Sequence, residues 1–226
     1  MRTPARLAVF ASGGGTNLQA LLDHFEATPD PAARVELVVA SRAGIGALSR
    51  AESAGVLSVV IDPATHSPDE LGGETMRQLD GAAIDLIVLA GYLKRVPRVV
   101  VEAFAERIIN IHPARLPSFG GPGMYGLRVH RAVLDSGATV TGATVHRVGE
   151  RYDEGPIVAQ WPVPVIAGDT PESLAARVLR VEHVLLPAAV EAIVTGRPPT
   201  PLPEEVIFDL SATAAPAPDV VRRIFR

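Results

Sequence analysis

Residues 6–27, RLAVFASGGGTNLQALLDHFEA, are the stretch that decides the fold. Residues 6–12 form a short apolar run, which predicts a strand, and residues 16–27 carry apolar side chains at helical spacing. Three glycines lie between them, so a strand passes through a short loop directly into a helix. This order of elements is typical of α/β proteins with parallel strands.

The same alternation repeats through the first half of the chain. Further strands are predicted at 35–41, 56–62, 84–90 and 108–111, with helices at 47–54, 69–79 and 98–107. The helix at 69–79 is predicted to be weaker than the others, because Gly72 and Gly73 interrupt it. Strands joined by helices on short loops imply right-handed crossovers and a parallel sheet. We therefore predict an α/β fold with a Rossmann-like, doubly wound, mostly parallel sheet.

The second half of the chain predicts a different arrangement. Two extended segments, 138–148 and 156–165, flank an Asp-Glu-Gly-Pro turn at 153–156. This pattern predicts an antiparallel hairpin added to the sheet. Two helices complete this half, at 129–134 and 170–195.

The C-terminal end of the chain differs from the rest in composition. We expect residues 1–196 to form one domain and residues 197–226, rich in proline and alanine, to form a tail. Phe208, Ile224 and Phe225 indicate that this tail docks somewhere. The sequence leaves open whether it covers the sheet, pairs with another subunit or stays disordered.

Composition and charge exclude several classes of function. The chain has 226 residues, a net charge of −4 and no run of basic residues, so nucleic acid is not expected as a partner. It has no cysteine, which excludes disulfides, thiolate nucleophiles and cysteine-bound metals. No apolar run approaches the roughly 20 residues of a membrane helix, and the N-terminus does not resemble a signal peptide. We therefore expect a cytoplasmic protein, monomer or homodimer, that acts on small molecules and not on membranes.

Ligands of doubly wound sheets bind beyond the carboxyl ends of the strands, which points to residues 12–17, 91–96 and 110–113. The first of these segments, Ser-Gly-Gly-Gly-Thr-Asn, lets the backbone approach a ligand closely and opens a helix whose first N–H groups suit a phosphate. It lacks the lysine of a Walker A loop. The alternative is a simple turn with Thr16 or Asn17 as the N-cap.

Asn110 and His112 are the strongest candidates for a reactive centre. Residues two apart on a strand face the same side, so these side chains should project together. An amide beside an imidazole can polarise a carbonyl and stabilise its oxyanion, and histidine can transfer a proton near neutral pH. The alternative is a histidine at a strand end that only binds backbone groups. Asp153 lies in an ordinary glycine-containing turn, and no spacing connects it to His112.

Five segments resemble, in order, the folate-dependent formyltransferase family. They are VFASGGGTNLQALLD (9–23), DLIVLAGYLKRV (85–96), IINIHPARLP (108–117), TGATVHRVGERYDEGPIVAQ (141–160) and RVEHVLLP (180–187). The resemblance covers approximately residues 7–194. Its strand-ending Asn-x-His-Pro and later Asp-x-Gly-Pro are specific for the formyltransferase fold. The Ser-Gly-x-Gly-Thr-Asn start resembles the branch that acts on glycinamide ribonucleotide.

This resemblance implies transfer of the formyl group of 10-formyltetrahydrofolate, a co-substrate, to the amine of glycinamide ribonucleotide in de novo purine biosynthesis, without a metal. It implies that Asn110 and His112 bind the formyl oxygen and assist proton transfer, and that Asp153 pairs with His112 and favours its charged imidazolium. His146 matches a further family position near the site. The implied phosphate and ribose ligands are Gly15, Thr16, Asn17 and Glu182. The implied folate-binding residues are Leu93, Lys94, Arg95, Val96, Asn110, Gly149 and Asp153.

Three features depart from the family pattern. Residues 93–96 read Leu-Lys-Arg-Val where the family commonly has Met-Arg-Ile-Leu, and residues 67–70 lack the arginine that many relatives place there for the folate tail. Lys94 or Arg95 would then supply that charge. The loop 118–127 is longer than usual and contains four glycines, which predicts a mobile lid over the ligands. A tolerated surface insertion is the alternative for this loop.

Other functions remain open from the sequence. A formyltransferase with another acceptor amine, or a deformylase that hydrolyses the formyl folate, would use the same central residues. In a different class of protein, the chain would bind folate or nucleotide without turnover.

Overall fold

The computed structural model describes residues 3–149, 151–198 and 207–208. The chain divides into two compact units, one ending at Asn110 and the other beginning at Ile111. The division falls inside a strand, Ile108–His112, so each unit contributes part of that strand.

The first unit is built on parallel strands. Its strands are β1 (Ala5–Ala11), β2 (Ala33–Ala40), β3 (Leu57–Val60), β4 (Leu86–Leu89) and β5 (Ile108–His112), and its helices are α1 (Thr16–Ala27), α2 (Gly46–Ser53), α3 (Pro68–Gly81) and α4 (Arg98–Ala103). The strand order is β3-β2-β1-β4-β5, and neighbouring strands are parallel. The four residues of β4, Leu-Ile-Val-Leu, are all buried, because the central strands of such a sheet are covered on both faces.

The second unit is built on antiparallel strands. Its elements are α5 (Leu127–Asp135), β6 (Val140–Arg147), β7 (Ile157–Pro164), α6 (Pro171–Thr195) and β8 (Ile207–Phe208). Strand β7 pairs antiparallel with β6 on one side and with β8 on the other. The long helix α6 packs against β6, β7 and α5. The hairpin predicted around the turn at 153–156 is therefore confirmed.

These elements confirm the predicted fold class, an α/β protein with doubly wound, mostly parallel strands and an antiparallel hairpin. The element ends differ from the predicted ones by a few residues. Helix α4, for example, ends at Ala103 and not at residue 107. Glu106 has a φ of 61°, which a right-handed helix does not contain, and the chain turns there into β5.

Helix α3 is complete over its 14 residues, so the prediction of a weaker, interrupted helix is wrong. It begins with a capping box, in which the side chains of Ser67 and Glu70 each accept a backbone N–H of the other. A Cβ on Gly72 would lie 2.7 Å from Cγ1 of Val99, so glycine lets α3 pack closely beside α4. This tertiary contact offsets the low helix propensity of glycine.

Part of the predicted tail joins the strands of the second unit. Phe208 and Ile207 in β8 pair with Ala159 and Gln160 of β7. The domain boundary after residue 196 stays a prediction. Ile224 and Phe225, also expected to dock, lie outside the described residues.

A partly buried ion pair between Arg177 and Asp169 holds the start of α6. The guanidinium of Arg177 donates to both carboxylate oxygens of Asp169, at 2.7 and 2.8 Å, and to the carbonyl of Pro164. Asp169 also accepts from the Ile166 N–H and the Ser173 hydroxyl. The hydrogen bonds from Arg177, together with these two, outweigh burial and hold the pKa of Asp169 well below its usual range.

We expect Arg177→Ala to lower the free energy of unfolding by about 1.5–3 kcal/mol, because it removes the charge-assisted hydrogen bonds that Asp169 accepts from the guanidinium. Urea unfolding at neutral pH measures this loss. The control is Arg180→Ala, an exposed position of α6, which should change stability by less than about 0.5 kcal/mol. The pKa of Asp169 is lower in the folded than in the unfolded chain, where it is about 3.9. The ion pair therefore contributes its full stabilisation when the pH is above the unfolded-state pKa. This stabilisation is lost as the pH falls through the folded-state pKa. Equal losses in the two variants would contradict this role.

Candidate active site

Strand β5 ends in the two residues predicted to react. Asn110 and His112 are two apart on the strand, so both side chains leave it on the same face. His112 is 3% exposed, and Asn110 is half-buried. The structure thus places both at the carboxyl end of a buried strand.

The imidazole of His112 has different partners on its two nitrogens. Nε2 lies 2.8 Å from the carbonyl oxygen of Phe119, so the hydrogen-bond pattern assigns the hydrogen of the neutral ring to this nitrogen. Nδ1 lies 3.7 Å from Oδ2 of Asp153 and keeps its lone pair. If His112 only bound backbone groups, that would explain the contact of Nε2 with Phe119. It would not explain the carboxylate of Asp153 near Nδ1. Nδ1 is the atom that can gain and lose a proton beside a carboxylate.

Asp153 lies between two imidazoles. Its Oδ1 is 3.4 Å from Nε2 of His146, and its Oδ2 is 3.7 Å from Nδ1 of His112. The backbone N–H of Gly121 donates to Oδ2 at 2.8 Å. The second nitrogen of His146 lies 2.8 Å from the carbonyl oxygen of Arg147, so this ring too is held by a backbone acceptor. Each ring therefore has one nitrogen beside a backbone carbonyl and the other beside the Asp153 carboxylate.

Burial decides the charge of His112. It lowers the pKa of His112 below its ordinary value of 6.5, although the Asp153 carboxylate and the Phe119 carbonyl act in the opposite direction. Burial also disfavours an ionised Asp153, but the hydrogen bonds from His146 and Gly121 and the nearby imidazoles outweigh it, so the pKa of Asp153 is lowered. The carboxylate of Asp153 raises the pKa of His112, but desolvation is the larger effect and the net shift is downward, away from the charged imidazolium that the resemblance implies. The roles of both residues in the reaction stay predictions. At pH 7 a neutral His112 lies beside an ionised Asp153.

A third histidine, His130, is buried on α5. It is 4% exposed, and its Nδ1 has no hydrogen-bond partner among the described residues. Burial, with a smaller contribution from His112, lowers the pKa of His130 to about 4, so the ring is neutral at pH 7. The sequence has no signal that distinguishes His130 from its buried neighbours Val129 and Val133.

A buried polar network holds the hairpin against the segment that follows β5. The hydroxyl of Thr144 donates to the carbonyl of Ala114 at 2.7 Å and accepts from the Leu116 N–H at 3.2 Å. The amide of Gln160 donates to the Leu116 carbonyl and to the Thr144 hydroxyl, both at 3.0 Å. These bonds bring the hairpin turn to the imidazole at the end of β5. Sequence reasoning missed Thr144 and Gln160, because their partners are distant in the chain.

The loop 118–126 forms part of the site. Phe119 has a φ of 58°, a left-handed conformation that costs a non-glycine residue about 1–2 kcal/mol, and its carbonyl contacts His112. A Cβ on Gly120 would lie 3.1 Å from Cβ of Asp153, and the next residue donates to the Asp153 carboxylate. The loop therefore orients both side chains and is more than a surface insertion. That it opens and closes as a lid stays a prediction.

The turn that carries Asp153 requires glycine at position 155. A Cβ on Gly155 would overlap the carbonyl oxygen of Arg147, and the carbonyl carbon would be 2.7 Å away. We expect Gly155→Ala to lower the free energy of unfolding by about 2 kcal/mol or more, because the turn or β6 must shift. Urea unfolding measures this against Gly149→Ala, where an added Cβ meets nothing within 4 Å and stability should change by less than about 0.5 kcal/mol. Two equally stable variants would show that the turn tolerates the extra atom.

The predicted phosphate loop joins β1 to α1 in the first unit. Gly15, with φ 74°, is the N-cap of α1, and no side chain caps this helix. The alternative of Thr16 or Asn17 as the N-cap is therefore wrong. Gly13 and Gly14, which precede the cap, are exposed. A helix start without a side-chain cap, reached through exposed glycines, suits an anion such as phosphate.

Ser12 connects this loop with residues 93–96, predicted to bind folate. Its hydroxyl accepts from the Ser41 hydroxyl at 2.8 Å and from the Leu93 N–H at 2.9 Å. The first three residues of the segment 93–96 are exposed, and the last is buried. The place of Ser12 after β1 is visible in the sequence, but its partners are not.

The remaining predicted binding residues lie in the second unit. Glu182, on α6, is 7% exposed, and Gly149, after β6, is exposed. Within the described ranges, no group of three or more His, Cys, Asp or Glu side chains is arranged to hold a metal ion. No helix in those ranges has the length and apolar character needed to cross a membrane.

Comparison with known proteins agrees with the fold. Residues 5–190 match the sequence model of the family described as "Formyl transferase". The chain belongs to this family.

Within the family, the chain is similar to phosphoribosylglycinamide formyltransferases. It is 45% identical over 196 residues to the chloroplastic enzyme of Arabidopsis thaliana. The alignment covers 85% of this chain and 66% of the Arabidopsis protein, so the chain spans slightly less than two thirds of that relative's length. It is 34% identical over 192 residues to the enzyme of Escherichia coli K12, covering 84% of this chain and 88% of that one. The crystal structure of glycinamide ribonucleotide transformylase 1 from Symbiobacterium toebii superposes with a TM-score of 0.80 and 41% identity, over 86% of this chain and 89% of that one.

Proposed function

We propose that this protein transfers the formyl group of 10-formyltetrahydrofolate to the amine of glycinamide ribonucleotide, a step of de novo purine biosynthesis in the cytoplasm. One observation carries the proposal: Nδ1 of the buried His112 lies 3.7 Å from Oδ2 of Asp153, at the end of the strand that also holds Asn110. The names of the relatives, which are formyltransferases of this ribonucleotide, support the choice of acceptor.

The reaction begins when the amine nitrogen attacks the formyl carbon. A new C–N bond forms, and the electron pair of the carbonyl moves to oxygen, where the Asn110 amide stabilises the negative charge. The amine proton passes to Nδ1 of His112, which is neutral at pH 7 and therefore able to accept it. The imidazolium that forms is stabilised by the ionised carboxylate of Asp153.

The second half of the reaction returns the proton. The electron pair on the oxygen re-forms the carbonyl as the bond between the formyl carbon and N10 of the folate breaks, and N10 takes the proton from Nδ1 of His112. The products are the formylated ribonucleotide and tetrahydrofolate, with His112 neutral again. The Phe119 carbonyl keeps Nε2 as a hydrogen-bond donor in both states, so that only Nδ1 exchanges protons.

Substrate binding is assigned to further segments of the chain. Gly15, Thr16 and Asn17 bind the ribonucleotide phosphate at the start of α1, which has no side-chain cap. Glu182 binds the ribose hydroxyls. Residues 93–96 and 149–153 bind the pterin, and the exposed Lys94 and Arg95 supply the positive charge for the folate tail.

One assay tests the proposal. The protein is mixed with 10-formyltetrahydrofolate and glycinamide ribonucleotide, and release of tetrahydrofolate is followed. Release that requires the ribonucleotide supports the proposal, and release without it identifies a deformylase. Release only when another amine, such as an amino sugar nucleotide, replaces the ribonucleotide identifies a different acceptor. No release under any condition contradicts enzymatic function and leaves a binding role.

A further inference from the structure

Helix α2 holds the carbonyl groups of the glycine loop. The N–H of Ala47, in the first turn of α2, donates to the carbonyl of Gly13 at 3.2 Å. Nε of Arg50, one turn further along α2, donates to the carbonyl of Gly14 at 2.9 Å. Two successive carbonyls of the loop are therefore turned toward this helix.

The guanidinium of Arg50 also reaches α1. Its Nη1 donates to the side-chain oxygen of Gln19 at 2.9 Å, while the N–H of Gln19 donates to the carbonyl of Gly15. The bond from Arg50 to Gln19 is partly buried, which limits competition from water for it, whereas the bond to the Gly14 carbonyl is exposed. One planar side chain thus connects α2, the glycine loop and the first turns of α1.

The direction of these carbonyls sets the direction of the neighbouring N–H groups. In a planar trans peptide the C=O and the following N–H point to opposite sides. The N–H groups of Gly14 and Gly15 must therefore point away from α2. The packing also leaves the loop little room to rotate, because a Cβ on Gly15 would lie 2.7 Å from Cα of Ala47.

We infer that Arg50 is a positioning residue for the ribonucleotide phosphate. It holds the loop with the N–H groups of Gly14 and Gly15 directed away from α2, so that the phosphate meets donors that are already oriented. Preorganisation of this kind raises affinity, because fewer groups are ordered on binding. The inference rests on the proposed function, in which this loop binds the phosphate.

Three variants separate the geometry of Arg50 from its charge. We expect Arg50→Ala to raise KM for glycinamide ribonucleotide about 10- to 100-fold, with kcat and KM for 10-formyltetrahydrofolate changing less than about 3-fold. Arg50→Lys keeps the charge but lacks the rigid planar fork that donates to the Gly14 carbonyl and to Gln19 at once, so most of the rise should remain. Arg34→Ala removes an exposed arginine near the start of β2. It should leave kcat and both KM values unchanged.

Several results would overturn the inference. These are an unchanged KM for the ribonucleotide in Arg50→Ala, an equal rise in both KM values, or full recovery in Arg50→Lys, which would mean that charge alone matters. If Arg50→Ala does not fold, the comparison rests on Arg50→Lys and Gln19→Ala, which removes the second acceptor of the guanidinium.

A binding experiment separates this inference from the proposed function. If the wild-type protein does not transfer the formyl group, this result contradicts the proposed function but not the positioning role of Arg50. Calorimetric titration with ribose 5-phosphate then tests the loop directly, and we expect Arg50→Ala to bind it about 10- to 100-fold more weakly than wild type. Equal binding by the two proteins, or no binding by wild type, would overturn the positioning role.

Discussion

In His112→Ala, kcat for formyl transfer is expected to fall about 10²–10⁴-fold, the usual contribution of a general acid–base residue. The substitution removes Nδ1, which takes the proton of the attacking amine and returns it to N10. Both KM values should stay within about 3-fold of wild type, because the imidazole acts mainly in the transition state. The amide of Asn110 remains, so weak residual transfer is expected.

Two companion variants make this result interpretable. His112 is 3% exposed, so alanine leaves a cavity that can lower stability. His112→Gln keeps a polar side chain that can donate to the Phe119 carbonyl but has no titratable nitrogen, and it should lose as much kcat as the alanine variant. His24→Ala, in the last turn of α1, is the matched histidine control and should keep wild-type kcat. Turnover of His112→Gln within about tenfold of wild type would contradict the proposed proton transfer.

In Asp153→Asn, we expect kcat to fall about 10²–10³-fold, because a neutral amide no longer stabilises the imidazolium. The asparagine has nearly the same shape, and its side-chain oxygen can still accept from the Gly121 N–H, so the turn should keep its position. Glu154→Gln removes the same charge from the exposed neighbouring residue and should keep wild-type kcat.

The pH dependence distinguishes this effect from a loss of structure. If neutral His112 is the base, kcat/KM rises with pH through the pKa of His112, which lies below its ordinary value of 6.5. The Asp153 carboxylate raises that pKa against the larger effect of burial. Asp153→Asn should therefore move the acid limb of the profile, and the NMR titration of His112, to lower pH. Measurements between about pH 5 and 8 cover the window in which histidine changes charge. An unmoved or upward-shifted limb would show that Asp153 acts in another way.

Helix α3 shows where local patterns and the folded structure disagree. Two glycines predict an interrupted helix, but the close approach of Gly72 to Val99 turns one of them into a packing site. The pattern reports only the cost of glycine within the helix. The compensating contact comes from Val99 of α4, which lies outside the stretch of sequence from which the helix was predicted.

The pKa of His112 is a second feature that local sequence patterns do not predict. The resemblance to a known family indicates a carboxylate partner, and Asp153 does lie beside the imidazole. The sign of the net pKa shift depends on how much water is removed around the ring. That quantity is set by the packing of the folded chain, which also brings the Phe119 carbonyl to the ring.

The sequence by itself determined the alternation of strands and helices, the hairpin, the pairing of Asn110 with His112 on one strand face, and the family. These features follow from periodicity and short motifs, which act over a few neighbouring residues. Only the tertiary structure decided that Asp153 meets His112, that burial lowers the pKa of this imidazole, and that Arg50 bonds to the glycine loop. Each of these depends on contacts between residues far apart in the chain, and on the exclusion of water that such packing produces.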